Sequence, residues 1–252
     1  MLFIGQERII KELRLLIYHI QRGENVNILF RAPSGYGKTT LGLLCLHTLK
    51  DAKYYLGSDF FSFFDRTKRV HFIDEIHTIK EPESLYPLMD TNKYTFIFAS
   101  NESGTLKEPL RNRCIQFVFS EYTEGELKKI AKHHLRHNFG DDILDYIVKK
   151  GFGNPRIIKN ICFRINYITH SGDIPKSREE FISLVENTLD LGEENYINMY
   201  LSFLKKVGRA GLETIIANTK LDKDTIVNEI EPVLIRQNKI RISSRGRELV
   251  GG

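Results

Sequence analysis

The chain of 252 residues contains no tryptophan, three cysteines, three methionines and seven prolines. The cysteines, Cys45, Cys114 and Cys162, are scattered without a CxxC spacing, which argues against a disulfide framework or a zinc site. No apolar run approaches the roughly 20 residues of a membrane span, so no membrane partner is expected. There is no low-complexity tract and no internal repeat. The opening Met1–Gln6 is not expected to be a secretory signal, because a charged helical pattern starts at Glu7. Neither sign of charge dominates: 37 Lys and Arg face 32 Asp and Glu, a formal net charge of +5. That balance permits a nucleic-acid partner without requiring one. What remains is a globular, cytoplasmic-type protein, since 41% hydrophobic residues suffice for a packed core.

Periodicity divides the chain. Ile9, Ile10, Leu13, Leu16, Ile17 and Ile20 predict an amphipathic helix over 7–22. Short apolar runs at 27–30, 70–73, 94–99 and 115–119 predict four strands, with a helix over 39–49 between the first two. Strands alternating with helices imply a parallel sheet covered on both faces. After Ser120 the pattern becomes helical: 124–137, 141–150 and 155–168, then a linker over 171–177. Helices near 178–190, 194–207, 211–217 and 223–237 follow. The end, Lys239 to Arg247, reads as a small β-ribbon with a basic tip.

Ala32-Pro33-Ser34-Gly35-Tyr36-Gly37-Lys38-Thr39 follows a predicted strand and opens a predicted helix, as a P-loop requires. Backbone N–H groups around Gly35 and Gly37, with the helix N-terminus, suit phosphate. Lys38 would reach the β- and γ-phosphates, and the Thr39 hydroxyl would ligate Mg²⁺. Ala32 stands where the pattern has its first glycine, which predicts some strain at most.

Asp74-Glu75 end the second apolar strand, at the sheet edge where open α/β folds bind ligands. Asp74 would hold Mg²⁺ and Glu75 would polarise an attacking water. His77 is expected to be structural or peripheral. Ser100 and Asn101 end the next strand and could orient that water. Arg111 and Arg113 carry permanent charge suited to a phosphate, from the same chain or, in a ring, from a neighbour. Arg156, in Gly153-Asn154-Pro155-Arg156, opens a helix of the second part and could swing onto the γ-phosphate. Phe60-Phe61-Ser62-Phe63-Phe64 is either core or a partner-binding face.

In this order the P-loop, Ile73-Asp74-Glu75-Ile76-His77, Pro109-Leu110-Arg111-Asn112-Arg113 and Gly153-Asn154-Pro155-Arg156 resemble an AAA+ ATPase. Phe3-Ile4-Gly5-Gln6-Glu7-Arg8, Glu231-Pro232-Val233-Leu234-Ile235-Arg236-Gln237 and Arg245-Gly246-Arg247 resemble the RuvB family of Holliday-junction motors, so the likeness spans almost the whole chain. It implies an α/β fold: a P-loop AAA+ parallel-sheet domain over 1–120, a helical lid over 121–177 and a C-terminal winged-helix DNA-binding domain over 178–252. Ile4 and Gly5 would line the adenine pocket, with Tyr122 packed near the adenine. The nucleotide cradle would run from Pro33 through Ser34, Gly35, Tyr36, Gly37, Lys38 and Thr39 to Thr40. Asn101 would be the polar sensor, Arg113 the arginine finger ahead of Arg111, and Arg156 the second sensor. Arg241, Arg245 and Arg247 would contact DNA on the wing, the alternative being a solvated basic turn.

The implied function is an ATP- and Mg²⁺-dependent homo-oligomeric ring, hexameric or open, acting on junction, forked or duplex DNA, with an adaptor protein as a further partner. A clamp-loader-type or helicase-loader subunit is the alternative reading, because Phe96–Asn101 and Pro109–Cys114 also resemble clamp loaders. A non-hydrolysing ATP-binding ring subunit is a third. One departure stands out. Thr91-Asn92-Lys93 leaves no room before the sensor strand for the hairpin with which RuvB grips RuvA. Formally the +5 concentrates at the end, where Arg236, Lys239, Arg241, Arg245 and Arg247 face only Glu248 after residue 233.

Overall fold

The computed structural model describes residues 3–101, 106–169, 177–188 and 192–251. They form two compact units, Met1–Glu121 and Tyr122–Gly252. The linker expected over 171–177 lies, but for Ser177, outside the described residues.

The first unit begins with helix α1 (Glu7–Gln21), which buries Ile9, Leu13 and Ile20 on one stripe. Strand β1 (Ile28–Arg31) leads through the P-loop into α2 (Lys38–Thr48). Then come β2 (Ala52–Leu56), the short α3 (Phe60–Phe63), β3 (Val70–Asp74), α4 (Tyr86–Asp90), β4 (Thr95–Ser100), α5 (Glu108–Asn112) and β5 (Ile115–Val118). All strand pairs are parallel, in the order β2-β3-β4-β1-β5. Every residue of β3 and β4 is buried, which is why both read as unbroken apolar runs. The sheet has five strands where four were expected. Strand β2 is an edge strand, and Ala-Lys-Tyr-Tyr-Leu keeps only Tyr55 fully buried, so it lacks the apolar run of an interior strand. The order sets β4 between β3 and β1. It thus brings the ends of the P-loop strand, the Asp74 strand and the Asn101 strand side by side.

The aromatic run at 60–64 divides its duties. Phe60 is fully buried and Phe64 packs against the same core, whereas Phe61 and Phe63 are exposed. Beside them lies a buried histidine. The His71 ring is surrounded by Phe64, Tyr94, Phe96 and Tyr55 at centroid distances of 4.9, 5.2, 5.4 and 5.6 Å. Its Nε2 donates to the Lys68 carbonyl (2.9 Å), and its Nδ1 accepts from the Tyr55 hydroxyl (3.2 Å). Both bonds suit the neutral ring.

In the second unit, α6 (Glu124–His134), α7 (Asp141–Lys150) and α8 (Pro155–Ile168) pack together. A capping box between Thr123 and Glu126 starts α6. This helix stops three residues short of the expected 137. Asn166 takes over there, donating to the His134 carbonyl (2.7 Å) and accepting from the Arg136 N–H (2.8 Å). Next come α9 (Arg178–Thr188), α10 (Gly192–Val207), β6 (Arg209–Ala210) and α11 (Leu212–Thr219). The helix expected over 223–237 runs from 223 to 236, but its middle, Thr225–Ile230, is a π-helical segment that leads directly into α12 (Glu231–Arg236). Pro232 is the physical cause: it lacks an N–H, and its ring conflicts with the carbonyl four residues earlier. The wider π turn relieves that conflict.

The closing ribbon, β7 (Ile240–Ser243) and β8 (Gly246–Leu249), gains β6 as a third strand, in the order β6-β8-β7. Gly246 is required at the ribbon turn. Its φ is +121°, and a Cβ there would lie 2.6 Å from the Ala210 carbonyl oxygen on β6. No helix among the described residues is long and apolar enough to cross a membrane.

Burial lowers the His71 pKa from 6.5 to about 4. The unfolded chain therefore takes up a proton that the folded unit refuses. The stabilisation from a neutral His71 is complete above pH 6.5 and is lost as pH falls towards 4, with a limit of about 3 kcal/mol. Urea unfolding of the parent and of His71→Phe between pH 7.5 and 4.5 checks this, and the variant's midpoint should fall less steeply with acid. Parallel profiles would overturn the account.

Candidate nucleotide and nucleic-acid sites

The P-loop is built on two glycines in the left-handed region, Gly35 at φ +83° and Gly37 at φ +92°. Gly37 also caps α2, and its carbonyl accepts from the Leu41 N–H at 2.9 Å. Ala32, where strain was expected, is fully buried and keeps a φ outside the left-handed region. An alanine therefore fits its backbone. Pro33 and Tyr36 are buried, Ser34 half-buried, and Thr40 exposed on the first turn of α2.

Two side chains of that turn reach across the sheet edge. Lys38 is 6% exposed, and its ammonium donates to the Ala32 carbonyl (2.8 Å), the Pro33 carbonyl (2.9 Å) and Asn101 Oδ1 (2.9 Å). Thr39 donates to Asp74 Oδ2 at 2.6 Å, while Asp74 Oδ1 accepts from the Glu75 N–H at 3.0 Å. The P-loop is thereby tied to the end of its neighbour β4 and, one strand further, to the end of β3. Ser100 is 1% exposed and donates to the Asn101 carbonyl, so the side chain that meets Lys38 is that of Asn101.

Glu75 follows the buried Asp74 with a left-handed backbone, φ +54°, which turns the chain off β3 into a short 3₁₀ turn over Ile76–Thr78. Its carboxylate Oε2 lies 3.2 Å from His77 Nε2. The histidine expected to be structural or peripheral is thus a partner of the glutamate. Tyr54 on β2 stands close enough to donate to Asp74. Its hydroxyl pKa is raised by burial and by the charges of Asp74 and Glu75.

At the amino end, Ile4 is half-buried and Gly5 and Gln6 are buried, with φ +79° and +59° for the latter two. Gln6 is a residue that sequence reasoning missed in this role. Its amide donates to the Ser120 carbonyl (2.7 Å) and accepts from the Ser120 N–H (2.9 Å). Those paired bonds fasten Ile4 and Gly5 to the chain leaving β5. The only sequence hint was Gln within an otherwise apolar lead-in to α1. Tyr122, 8% exposed, belongs to the second unit.

Arg113 meets Asp90 through two bonds, Nε–Oδ1 at 2.9 Å and Nη2–Oδ2 at 3.0 Å. It also donates to the Pro109 carbonyl and lies 4.7 Å from the Tyr86 ring centroid. The Asp90 pKa is held down by this arginine. Arg111 has a buried Nε without a hydrogen-bond partner among the described groups. Arg156 opens α8, where its N–H donates to Asn154 Oδ1 at 2.9 Å.

The wing arginines are not equivalent. Arg245 is exposed at the β7–β8 turn. The Arg241 side chain is 72% exposed but shares Glu248 with Arg209, and those two guanidinium groups depress the Glu248 pKa. Arg247 turns inward. Its Nε and Nη2 bond Glu231, which is 3% exposed and also accepts from the Tyr200 hydroxyl at 3.0 Å. The expected grouping of Arg247 with Arg241 and Arg245 as one basic tip is therefore corrected: Arg247 is spent on neutralising a buried carboxylate.

Comparison with known proteins joins these observations. Residues 190–251 match the RuvB C-terminal winged helix domain. The Holliday junction branch migration complex subunit RuvB of Campylobacter fetus subsp. fetus is 30% identical, over 98% of this chain and 84% of its own. That of Neorickettsia sennetsu is 27% identical, over 99% and 88%. The Thermotoga maritima RuvB Holliday junction branch migration motor superposes with a TM-score of 0.82 at 26% identity, covering 99% of this chain and 93% of that one.

Gln6→Ala removes three bonds to Ser120, two of them to its backbone, and leaves those two backbone groups to find other partners. A loss of about 1–3 kcal/mol follows for the first unit. It should appear as a lower urea midpoint at unchanged slope. An unchanged midpoint would show that water replaces the side chain.

Proposed function

The chain belongs to the RuvB family, and on that footing we propose that it is an ATP-hydrolysing ring motor that remodels branched DNA. The observation that carries this reading is the convergence of Lys38, Thr39, Asp74 and Asn101 on one sheet edge beside Glu75. Backbone amides of Ser34–Gly37, which follow Pro33, and the start of α2 cradle the phosphates, with Thr40 on the first helical turn. Ile4, Gly5 and Tyr122 serve the adenine. Lys38 exchanges its neutral carbonyl partners for β- and γ-phosphate oxygens.

Glu75 accepts a proton from the attacking water as the water oxygen bonds to the γ-phosphorus and the bond to ADP breaks. Asn101 orients that water. Arg156 serves as the second sensor. Arg113, fixed by Asp90 and Tyr86, serves as the finger offered to a neighbouring subunit.

The donor chemistry fits Mg²⁺. A hydroxyl and a carboxylate, Thr39 and Asp74, sit 2.6 Å apart, and hard oxygen donors are what this ion takes beside nucleotide phosphates. When bound, the ion would neutralise charge on the phosphates. In this reading residues 1–120 are the motor domain, 121–177 the lid and 178–252 the winged helix, working in a hexameric or open ring on cytoplasmic DNA. Only residues 91–94 connect α4 to β4. An adaptor would therefore have to dock elsewhere than on a hairpin at that point.

Two outcomes test the reading. Glu75→Gln should retain ATP binding and lose turnover by at least about 100-fold, the usual weight of a positioned proton acceptor. Filter binding and phosphate release measure the two separately, and undiminished hydrolysis would refute the role. On the wing, Arg245→Ala should lower DNA affinity and flatten the salt slope by about one unit, as loss of one phosphate contact does. Arg247→Ala should act chiefly on thermal stability, because it strands Glu231. Equal salt slopes for parent and Arg245→Ala would remove DNA from the tip.

A further inference from the structure

The turn in front of Arg156 is held in an unfavourable shape. Phe152 has φ +48° and Gly153 φ +76°. A bulky residue in the left-handed region persists only where its surroundings impose it. Those surroundings come from 85 residues further along the chain. Gln237, which caps α12, donates from Nε2 to the Phe152 carbonyl. Lys239 places its ammonium 4.8 Å from the Phe152 ring centroid. A Cβ at Gly153 would touch Gln237 Nε2 at 3.4 Å. The turn is thus clasped on two sides by the end of α12.

Each side of the clasp continues. Towards α8, the Asn154 N–H donates to the Gly151 carbonyl (2.8 Å), and the buried Asn154 caps the helix through the Arg156 N–H. Towards the ribbon, the first residue of α12 is Glu231, gripped by Arg247 of β8 and by Tyr200. Arg247 stands two residues from the exposed Arg245. One short helix therefore links the base of the wing to the turn that sets the start of α8. Gln237 Oε1 is buried without a hydrogen-bond partner among the described groups. The amide is satisfied on one side only and stands to gain from a second arrangement.

We propose that Gln237 and Lys239 are positioning residues for Arg156, which carry the wing's engagement with DNA through the Phe152–Gly153 turn to the sensor arginine. This rests on the reading of Arg156 as the second sensor and of the wing as a DNA contact. Neither residue belongs to the nucleotide site or to the arginines of the wing, so their effect is on the coupling between sites.

The test compares the full-length parent with Gln237→Ala/Lys239→Met, which removes the donor and the charge but keeps an apolar stem against Phe152. ATP hydrolysis is measured with and without forked duplex DNA. DNA affinity is measured in parallel, and so is hydrogen exchange of the amides over 152–158. The expected result has three parts. DNA affinity and basal hydrolysis stay within about twofold; stimulation by DNA falls by at least about fivefold, the lower end of ordinary coupling between sites; and DNA slows exchange over 152–158 in the parent only.

Lys239→Arg, which keeps a cation over the ring, should retain the stimulation. If the double variant does not fold, Lys239→Met alone replaces it, and a loss of stimulation is again expected. A variant stimulated and protected by DNA to the parent's extent overturns the coupling while leaving the motor reading intact. A parent whose hydrolysis does not respond to DNA overturns the motor reading, and the coupling with it.

Discussion

The first unit is organised around one buried charge. The Lys38 ammonium is almost wholly removed from water, and a cation in that position has to be compensated. The oxygens that hold it include two carbonyls of the loop that precedes it and the side chain of Asn101. This explains why the loop folds back over its own lysine and why the end of β4 is drawn to the end of β1. Neutral oxygens solvate a cation without cancelling it. The field at the loop therefore favours an anion, and the start of α2 adds to it. Exchange of carbonyl oxygens for phosphate oxygens gains charge pairing at little rearrangement, since the loop glycines already hold the backbone open.

In the proposed reaction the same lysine would couple recognition to chemistry. Asn101 cannot both accept from Lys38 in its present geometry and orient a water elsewhere without shifting. Were phosphate to take the ammonium, Asn101 would be released towards the acids of β3. Thr39 works in parallel, because its hydroxyl now rests on Asp74 and would turn to a metal ion when one arrives. Glu75 occupies a left-handed backbone position with His77 beside its carboxylate. That pairing holds the acid in a defined place in the absence of substrate.

Much of this was readable from residue order alone, and the parts that were not share a physical reason. Strands β1, β3 and β4 lie inside the sheet, so their burial wrote largely apolar runs that lead to Ala32, Asp74 and Asn101. Strand β2 lies at the edge, where one side needs no apolar residue, and Ala-Lys-Tyr-Tyr-Leu carries no such run. Strand β6 is two residues long, too short for any periodicity to register. The helix over 223–237 reads as regular by apolar spacing, and only the missing N–H of Pro232 hints at its π-helical segment. The partners of Gln6 and His77 were not legible because they depend on pairing geometry: Gln6 bonds a residue 114 positions away, and His77 owes its place to the backbone reversal at Glu75.

Counting charge along the chain misjudged the wing for a related reason. Five basic residues against one acid after residue 233 looked like a concentrated DNA-binding tip. Burial redistributes them. Glu231, outside that count, takes Arg247 inward, and Glu248 is shared between Arg241 and Arg209. Removing either carboxylate would free a guanidinium, but not at equal cost. Glu248 pairs with exposed partners, where solvent screens the interaction and little stability is at stake. Glu231 is enclosed with Tyr200 and Arg247, where an unmatched charge is severely penalised. The ribbon therefore keeps Arg245 and the outer side of Arg241 exposed, while Arg247 fixes the orientation of the strand next to them. Exposure and architecture are assigned to different arginines within the same short motif, so the proposed DNA contact and the fold of the wing need not compete for one side chain.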